Sequence, residues 1–369
     1  MTRTSACTIL VVLAACAADN TPGGSDPRAV GVANADPTLT VFSQNVYIGT
    51  NVDAVLAAPP DELPARLFEA LGTFASTNWP ERADRIAEYI AANRPDLVSL
   101  NEVSRVTTLG LALAFPDLDV DFLPILMSAI ADRGASYTVA GSVANIDANL
   151  SLGGPSIRLE DFDVVLARAD VAITNVIAQR YAAQVSVPLG ALGTIDLVRG
   201  WVQVDATVGG RTVRFVSTHL EPQETSLPLQ LVQSGELIAS LAGSPYPVVI
   251  AGDLNSDPLD PAPLTSYDQF AAAGFYDAWL SRAGSRTESG YTCCTSSNLL
   301  DVPAGHHKRI DLVLARPVGR ARGQAIRPVQ FDVFGDAPAD RTESGLWASD
   351  HAGVMATIPW RQLDGITRR

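Results

Sequence analysis

Sulfur is scarce in this sequence and poorly placed for cross-linking. Of four cysteines in 369 residues, Cys7 and Cys16 fall in or beside the first apolar stretch, and Cys293 and Cys294 are neighbours. That arrangement excludes a disulfide framework and a zinc motif built on spaced cysteines. For the adjacent pair, a strained bond in an oxidising compartment and two free thiols both fit. Positive charge is also short: 26 Lys and Arg stand against 40 Asp and Glu, a formal charge of −14. A general electrostatic grip on nucleic acid is thereby excluded, and only a local basic patch remains open. No apolar run after the N-terminal one is long enough for a transmembrane helix, and no internal repeat or second linker points to an array. With 47% hydrophobic residues, the chain has enough apolar surface to bury a sizeable core.

At the N-terminus, Arg3 precedes an apolar run from Thr8 to Ala15 that is too short to span a bilayer, so residues 1–15 read as a signal peptide. The run ends Leu13-Ala14-Ala15-Cys16, which resembles the bacterial lipobox, where cleavage leaves the cysteine as a lipidated N-terminus. An ordinary cut after Ala18, with Cys16 discarded, is the alternative. Residues 16–37 are rich in Ala, Gly, Pro, Asn and Asp without apolar periodicity and read as that lipidated N-terminus and a flexible tether. The expectation is an exported bacterial protein held at the membrane through a lipid on Cys16, periplasmic or at the cell surface, or otherwise secreted. Residues 38–369 read as one domain, with no obligate protein partner evident.

Within that domain a short β-type apolar run repeatedly delivers a polar residue: Leu39 to Asn45, Leu97 to Glu102, Val213 to His219 and Val248 to Asp253. Strand ends held by a rigid sheet are where α/β structures carry chemistry. Pro80 suits a first helical turn, and Ala83, Ile86, Ala87 and Ile90 keep helical spacing. A second helix is expected from Leu227 to Leu241, stopping near Gly243. Gly200 to His219 alternates around Gly209-Gly210 and predicts an antiparallel hairpin, so the sheet content is mixed. Residues 104–160 read as apolar helical pieces, including Phe122 to Ile130, and a Gly/Ser/Asn-rich connection.

Glu102, Asp253, Asp311 and Asp350 each sit beside an apolar strand-like run, where an unpaired carboxylate loses several kcal/mol of hydration. A divalent cation offsets that loss, and oxygen donors without a Cys/His set favour Mg²⁺, with Mn²⁺ or Ca²⁺ as alternatives. For any one acid alone, a cap, a turn or an arginine partner is the plainer explanation. Six segments read together say more: Gln44-Asn45, Asn101-Glu102, Thr218-His219-Leu220, Gly252-Asp253-Leu254-Asn255, Arg309-Ile310-Asp311 and Ser349-Asp350-His351 occur in that order.

This series resembles the endonuclease/exonuclease/phosphatase superfamily from about Thr40 to Pro359, its most specific elements being the G-D-x-N tetrapeptide and the C-terminal S-D-H. The resemblance implies a four-layer α/β sandwich, two mixed β-sheets packed face to face with helices outside. It implies a metal-dependent phosphoester hydrolase in which Glu102 is the principal metal carboxylate, with Asn45 near the same ion and Asp350 a further ligand. His219 and His351 then flank the scissile phosphate, Asp311 orients His351, and Asn255 and His219 hold phosphate oxygens. His351 paired with Asp311 is the preferred base for in-line attack by water, with Asp253 its competitor.

The substrate classes that fit are nucleic acid, a phospholipid headgroup and a phosphorylated small molecule such as an inositol phosphate. Basic residues for a nucleic-acid groove are scattered: Arg158, Arg168, Arg199, Lys308 and Arg309. The apolar, charge-poor segment Val185 to Leu197 reads as a buried hairpin, with insertion into a bilayer as the sharper alternative. Trp201 and Trp279 read as core rather than pocket. His306 and His307, in a Gly-His-His-Lys loop, read as solvated surface, and Asp163 as a strand-start residue. A catalytically silent surface binding module and a redox-sensing Cys293-Cys294 pair are the readings from other classes.

Overall fold

The computed structural model describes residues 36–59, 61–111, 116–151, 154–189, 193–282 and 288–366. The expected signal peptide, Cys16 and nearly all of the tether lie outside the described residues. A seven-stranded sheet runs in the order β14 (Gln330–Phe334), β15 (Gly353–Pro359), β1 (Thr38–Asn45), β2 (Leu97–Leu109), β5 (Ser156–Arg168), β4 (Tyr137–Ser151), with β3 (Asp119–Asp121) paired to β2. A six-stranded sheet runs β12 (Tyr276–Asp277), β13 (Asp311–Arg316), β11 (Val248–Asp253), β10 (Arg211–Thr218), β9 (Gly200–Val208), β6 (Ala172–Arg180). A separate ribbon pairs β7 (Val185–Pro188) with β8 (Thr194–Leu197).

The centre of each sheet holds a parallel pair, β1 with β2 and β10 with β11, while the flanking pairs are antiparallel. Each parallel pair needs a crossover. For β1 and β2 it is supplied by α1 (Val52–Leu56), α2 (Leu63–Ser76) and α3 (Trp79–Asn93), and for β10 and β11 by α5 (Gln223–Leu241). These central strands are covered on both faces, which explains their continuous apolar runs. Leu39, Val41, Leu97 and Val165 face Val204, Phe215, Val249 and Val313 across the inter-sheet core. On the outer face of the larger sheet, Phe42, Val98, Leu100 and Val164 pack on Ile86 and Ile90 of α3 and on Phe122, Leu126 and Ile130 of α4 (Phe122–Asp132). On the outer face of the smaller sheet, Val216, Val248, Ile250 and Leu314 pack on Leu237 and Leu241 of α5 and Phe270 of α6 (Ser266–Ala272). Each fully buried side chain of this size contributes about 1.5–3 kcal/mol. The result is the four-layer sandwich: helices, sheet, sheet, helices.

The glycines at 209 and 210 turn at φ 58° and 78° and join β9 to β10 as the hairpin their sequence predicts. The α3 stripe Ala83, Ile86, Ala87, Ile90 is buried as expected. Helix α5 starts earlier than Leu227, at Gln223, but is broken at Ser226 (φ −164°), just where Pro228 bars a regular turn. The Gly/Ser/Asn-rich connection within 104–160 is a correction: most of it is the long antiparallel pair β4 and β5, whose alternation is legible only once the two strands face each other. The segment Val185 to Leu197 is a hairpin whose Val187, Leu189, Ile195 and Leu197 pack with Leu63, Leu67 and Leu71 of α2. Trp201 and Trp279 are both buried.

Candidate active site

The open ends of the two central strand pairs meet at one cleft of about 620 Å³. Below it, Ser99 and Ser217 join the sheets through a 2.6 Å hydrogen bond between their hydroxyl groups, and Ser99 also donates to the Ala251 carbonyl at 2.9 Å. One step further out, β2 does not end at Glu102 but bulges there: Asn101 and Glu102 stand opposite the single residue Asp163 of β5. The bulge, with Glu102 at φ 58°, re-aims both side chains. Asn101 donates to Asp163 Oδ1 at 2.7 Å and accepts the Asp253 backbone N–H at 2.9 Å, so it bridges the sheets. Glu102 accepts Asn45 Nδ2 at 2.9 Å and the Ile48 N–H at 3.0 Å. Asp163, expected as a strand-start residue, lies within β5 instead and is fully buried.

From the smaller sheet come His219, directly after β10, and Asp253, the last residue of β11. Gly252 between them and the core is obligatory, because a Cβ there would lie 2.0 Å from the Thr218 carbonyl oxygen. Asp253 Oδ1 accepts the Asn255 N–H at 2.9 Å, and Oδ2 accepts Asn45 Nδ2 at 3.2 Å. Oδ2 also lies 3.4 Å from His219 Nε2 and 3.8 Å from His351 Nε2. Asn255 Nδ2 sits 3.1 Å from His219 Nε2 and donates to the Leu220 carbonyl at 2.9 Å.

His351 precedes β15. Its Nδ1 is 2.8 Å from Asp311 Oδ2, and its backbone N–H reaches Ser349 Oγ, which in turn donates to the Asn45 carbonyl at 2.7 Å. Thr292 Oγ1 accepts the Asp311 and Ile310 N–H groups at 3.1 Å each, fixing the start of β13. Cys293 and Cys294, bonded to each other, line the cleft, and Cys293 bridges the backbones of Lys308 and His351.

The electrostatics differ across the cleft. Burial pushes the His219 pKa well below its ordinary value, and Arg199 and then His351 push it the same way. Burial also lowers that of His351, but Asp311, Asp253 and Asp350 outweigh it and hold the ring well above the usual histidine range. Burial raises Asp253 and Asp350 to about 7 each, with His351 opposing.

Of the eight residues expected from the sequence, Glu102, His219, Asp253, Asn255, Asp350 and His351 line the cleft. Asn45 touches Glu102 and Asp253 from below, and Asp311 touches His351 from behind. The donor set fits a hard divalent cation. Asp350 and Glu102 are carboxylates in one cleft, the Glu102 charge disfavours that of Asp350, and of the cations that oppose it there His351 is paired with Asp311 and Arg82 is already committed. Its guanidinium donates to the carbonyls of Val46, Tyr47, Thr77 and Ala348. Asp253, Asp311 and His351 also bring one potential ligand atom each within 4.8 Å of one another, but Asp311 is taken up by the His351 ring.

Asn101, Glu221 and Thr292 carry no role that the sequence announces, and Arg199 stands there among scattered basic residues. Only the Asn101 position beside Glu102 carried a signal. Of those basic residues, Arg199 and Lys308 line the cleft, whereas Arg158, Arg168 and Arg309 pair with Asp147, Asp170 and Asp277. His307 is exposed, as expected. His306 is half-buried rather than solvated surface: its ring nitrogens are hidden from water, and burial first, then His351, lowers its pKa to about 4.

The sequence matches none of the curated proteins. Among solved structures, an endonuclease/exonuclease/phosphatase from Beutenbergia cavernae DSM 12333 superposes with a TM-score of 0.56 at 21% identity, covering 87% of this chain and 71% of that one. A protein of the same family from Leptotrichia buccalis C-1013-b gives 0.54 at 14% identity, covering 87% and 99%. TDP2 of D. rerio, solved with a single-strand DNA product, gives 0.50 at 18% identity, covering 88% and 99%. At such identities these likenesses establish a common fold alone. The sequence itself matches the model of the Endonuclease/Exonuclease/phosphatase family over residues 70–351, a span that holds every cleft residue named above from Glu102 to His351. Since that span is well over half of the chain, the protein belongs to the endonuclease/exonuclease/phosphatase family.

Proposed function

We propose that the protein is a divalent-cation-dependent phosphodiesterase. The family fold supports a phosphoester hydrolase, and the position of Asp253 carries the finer reading. One carboxylate oxygen stands 3.4 Å from one histidine and 3.8 Å from another while accepting from Asn45 beside Glu102. In this reading a proton acceptor, two imidazoles and the carboxylates that would hold the cation act on one phosphate. Glu102, Asn45 and Asp350 are the residues to hold the ion, Mg²⁺ first and Mn²⁺ or Ca²⁺ by the same oxygen preference. When bound, the ion neutralises phosphate charge.

In this reading His219 and Asn255 donate to phosphoryl oxygens, and the attacking water loses its proton to Asp253. His351 keeps its proton against three carboxylates, which suits it to stabilise developing negative charge rather than to accept a proton. No covalent enzyme intermediate is needed. The cleft also carries Asp53, Glu221, Glu224, Asp257 and Asp260 against the cations Arg199 and Lys308. Such a lining favours a substrate offering one phosphodiester at a time over a long duplex, which needs many phosphate contacts. A nucleic-acid strand end, by analogy with the DNA product bound to D. rerio TDP2, and a phospholipid headgroup both meet that condition. Export with a lipid on Cys16 remains part of the proposal and would put the enzyme at a membrane surface.

The test is turnover by the purified protein with Mg²⁺ of bis-p-nitrophenyl phosphate, single-stranded and duplex DNA, RNA, sphingomyelin and phosphatidylinositol phosphates. Cleavage of the small diester and of one natural class supports the reading, with single strands or lipid preferred over duplex. If no diester is cleaved, or duplex is strongly preferred, the reading fails.

A further inference from the structure

The partner of His219 departs from what a proton-donating histidine requires. Behind His351 stands a carboxylate, but behind His219 stands a guanidinium: Arg199 Nη1 lies 3.0 Å from His219 Nδ1. Arginine has five donors and no acceptor, so Nδ1 of His219 is the accepting nitrogen. On the other side of the ring, Nε2 lies 3.1 Å from Asn255 Nδ2, one of whose two N–H groups serves the Leu220 carbonyl, and 3.4 Å from Asp253 Oδ2, the acceptor on that side. A neutral imidazole carries one proton, and only its Nε2 faces a group able to take the hydrogen bond. We propose that Arg199 is a positioning residue, fixing His219 in the Nε2–H tautomer so that it meets the phosphate as a neutral hydrogen-bond donor. The part concerning phosphate rests on the function proposed above; the tautomer does not.

The arrangement is braced. Arg199 Nε donates to Glu221 Oε2 at 3.0 Å, and the two side chains are 14% and 3% exposed. Glu221 is itself pinned by α5: its N–H donates to Gln233 Oε1 at 2.9 Å and its carbonyl accepts Gln230 Nε2 at 2.8 Å, with both glutamines fully buried. The Arg199 guanidinium therefore stands between an acid and an imidazole with little room to swing. Without it, Nδ1 loses the donor that makes it the accepting nitrogen, and the Nδ1–H form, with a lone pair on Nε2 toward Asp253 and the phosphate, becomes open to the ring.

Long-range ¹H–¹⁵N correlation spectra of the metal-free full-length protein at neutral pH test this directly. The expected pattern for His219 is a protonated Nε2 and an imine-type Nδ1. In Arg199→Met the Nδ1–H form should appear and kcat on bis-p-nitrophenyl phosphate should fall about 10²-fold with KM little changed. Arg199→Lys, again a donor without an acceptor, should restore the tautomer and most of the rate. A wild-type Nδ1–H tautomer or imidazolium at His219 would overturn the proposal, as would an unmoved tautomer in a folded Arg199→Met. If Arg199→Met does not fold, the wild-type spectrum still decides. A protein with the expected tautomer but no turnover would sink the phosphodiesterase reading and leave the role of Arg199 standing.

Discussion

His219 and His351 enter the same cleft from different sheets, both buried, both within 3.8 Å of Asp253 Oδ2 through Nε2. Burial acts on them in one direction, against the charged form. What differs first is the group on Nδ1, Arg199 for the first and Asp311 for the second, with Asp253 and Asp350 adding to the hold on His351. One ring is thereby kept neutral and the other charged. The identity of a second residue, remote in sequence, decides what each histidine can do, and a motif containing only the histidine does not state it.

The largest expected effect removes the group the histidines share. Asp253→Asn keeps the shape but cannot accept a proton, and kcat should fall by about 10³-fold or more. Wild-type kcat should rise with pH through about 7, as Asp253 ionises, and decline only at higher pH, as His351 gives up the proton its three carboxylate neighbours hold. A profile that instead falls through neutrality would contradict the assignment of charges.

Next comes the contrast itself. Glutamine can donate a hydrogen bond but carries no charge, so His351→Gln should cost about 10²-fold or more in kcat and His219→Gln only about 10-fold. Equal losses, measured side by side on one diester, would erase the distinction.

A smaller effect concerns stability. Asp253 and Asp350 have folded-state values of about 7, above the ordinary 3.8. Their contribution is therefore fully present below the unfolded value and is lost as pH rises through about 7, because the folded state then sheds protons that burial favours. Mg²⁺ should offset that loss, raising the melting temperature more at about pH 8 than at about pH 5. A gain independent of pH would show that the ion binds elsewhere.

The smallest effect is expected at the mouth of the cleft, where Lys308 pairs with Glu224 at an exposed site. Lys308→Gln should raise KM for a natural diester by only about 2- to 5-fold and leave kcat unchanged, because a surface cation contributes about 1 kcal/mol or less. A large fall in kcat would move Lys308 into the chemistry.

Much of this was readable in the sequence because it depends on local order. The runs leading to Asn45, His219 and Asp253 alternate or stay apolar as buried strands must, and the glycines at 209, 210 and 252 sit where a turn or a close backbone approach requires them. The unread part is set by pairing across the fold. Glu102 gains its direction from a bulge that exists only opposite Asp163, and β4 and β5 alternate only against each other. Arg199 reaches His219 because β9 and β10 form a hairpin that brings its start beside its end. The ring nitrogens of His306 are hidden from water although its neighbours in sequence are polar. Neither propensity nor spacing reports such encounters.

The most direct measurement is turnover of bis-p-nitrophenyl phosphate by the wild-type protein and by Glu102→Ala, after EDTA and after return of Mg²⁺. We expect EDTA to abolish wild-type turnover and Mg²⁺ to restore it, while folded Glu102→Ala stays inactive at matched ion concentration. Turnover indifferent to EDTA, or a Glu102→Ala protein that Mg²⁺ revives as fully as the wild type, would contradict a cation held at Glu102 as the centre of this site.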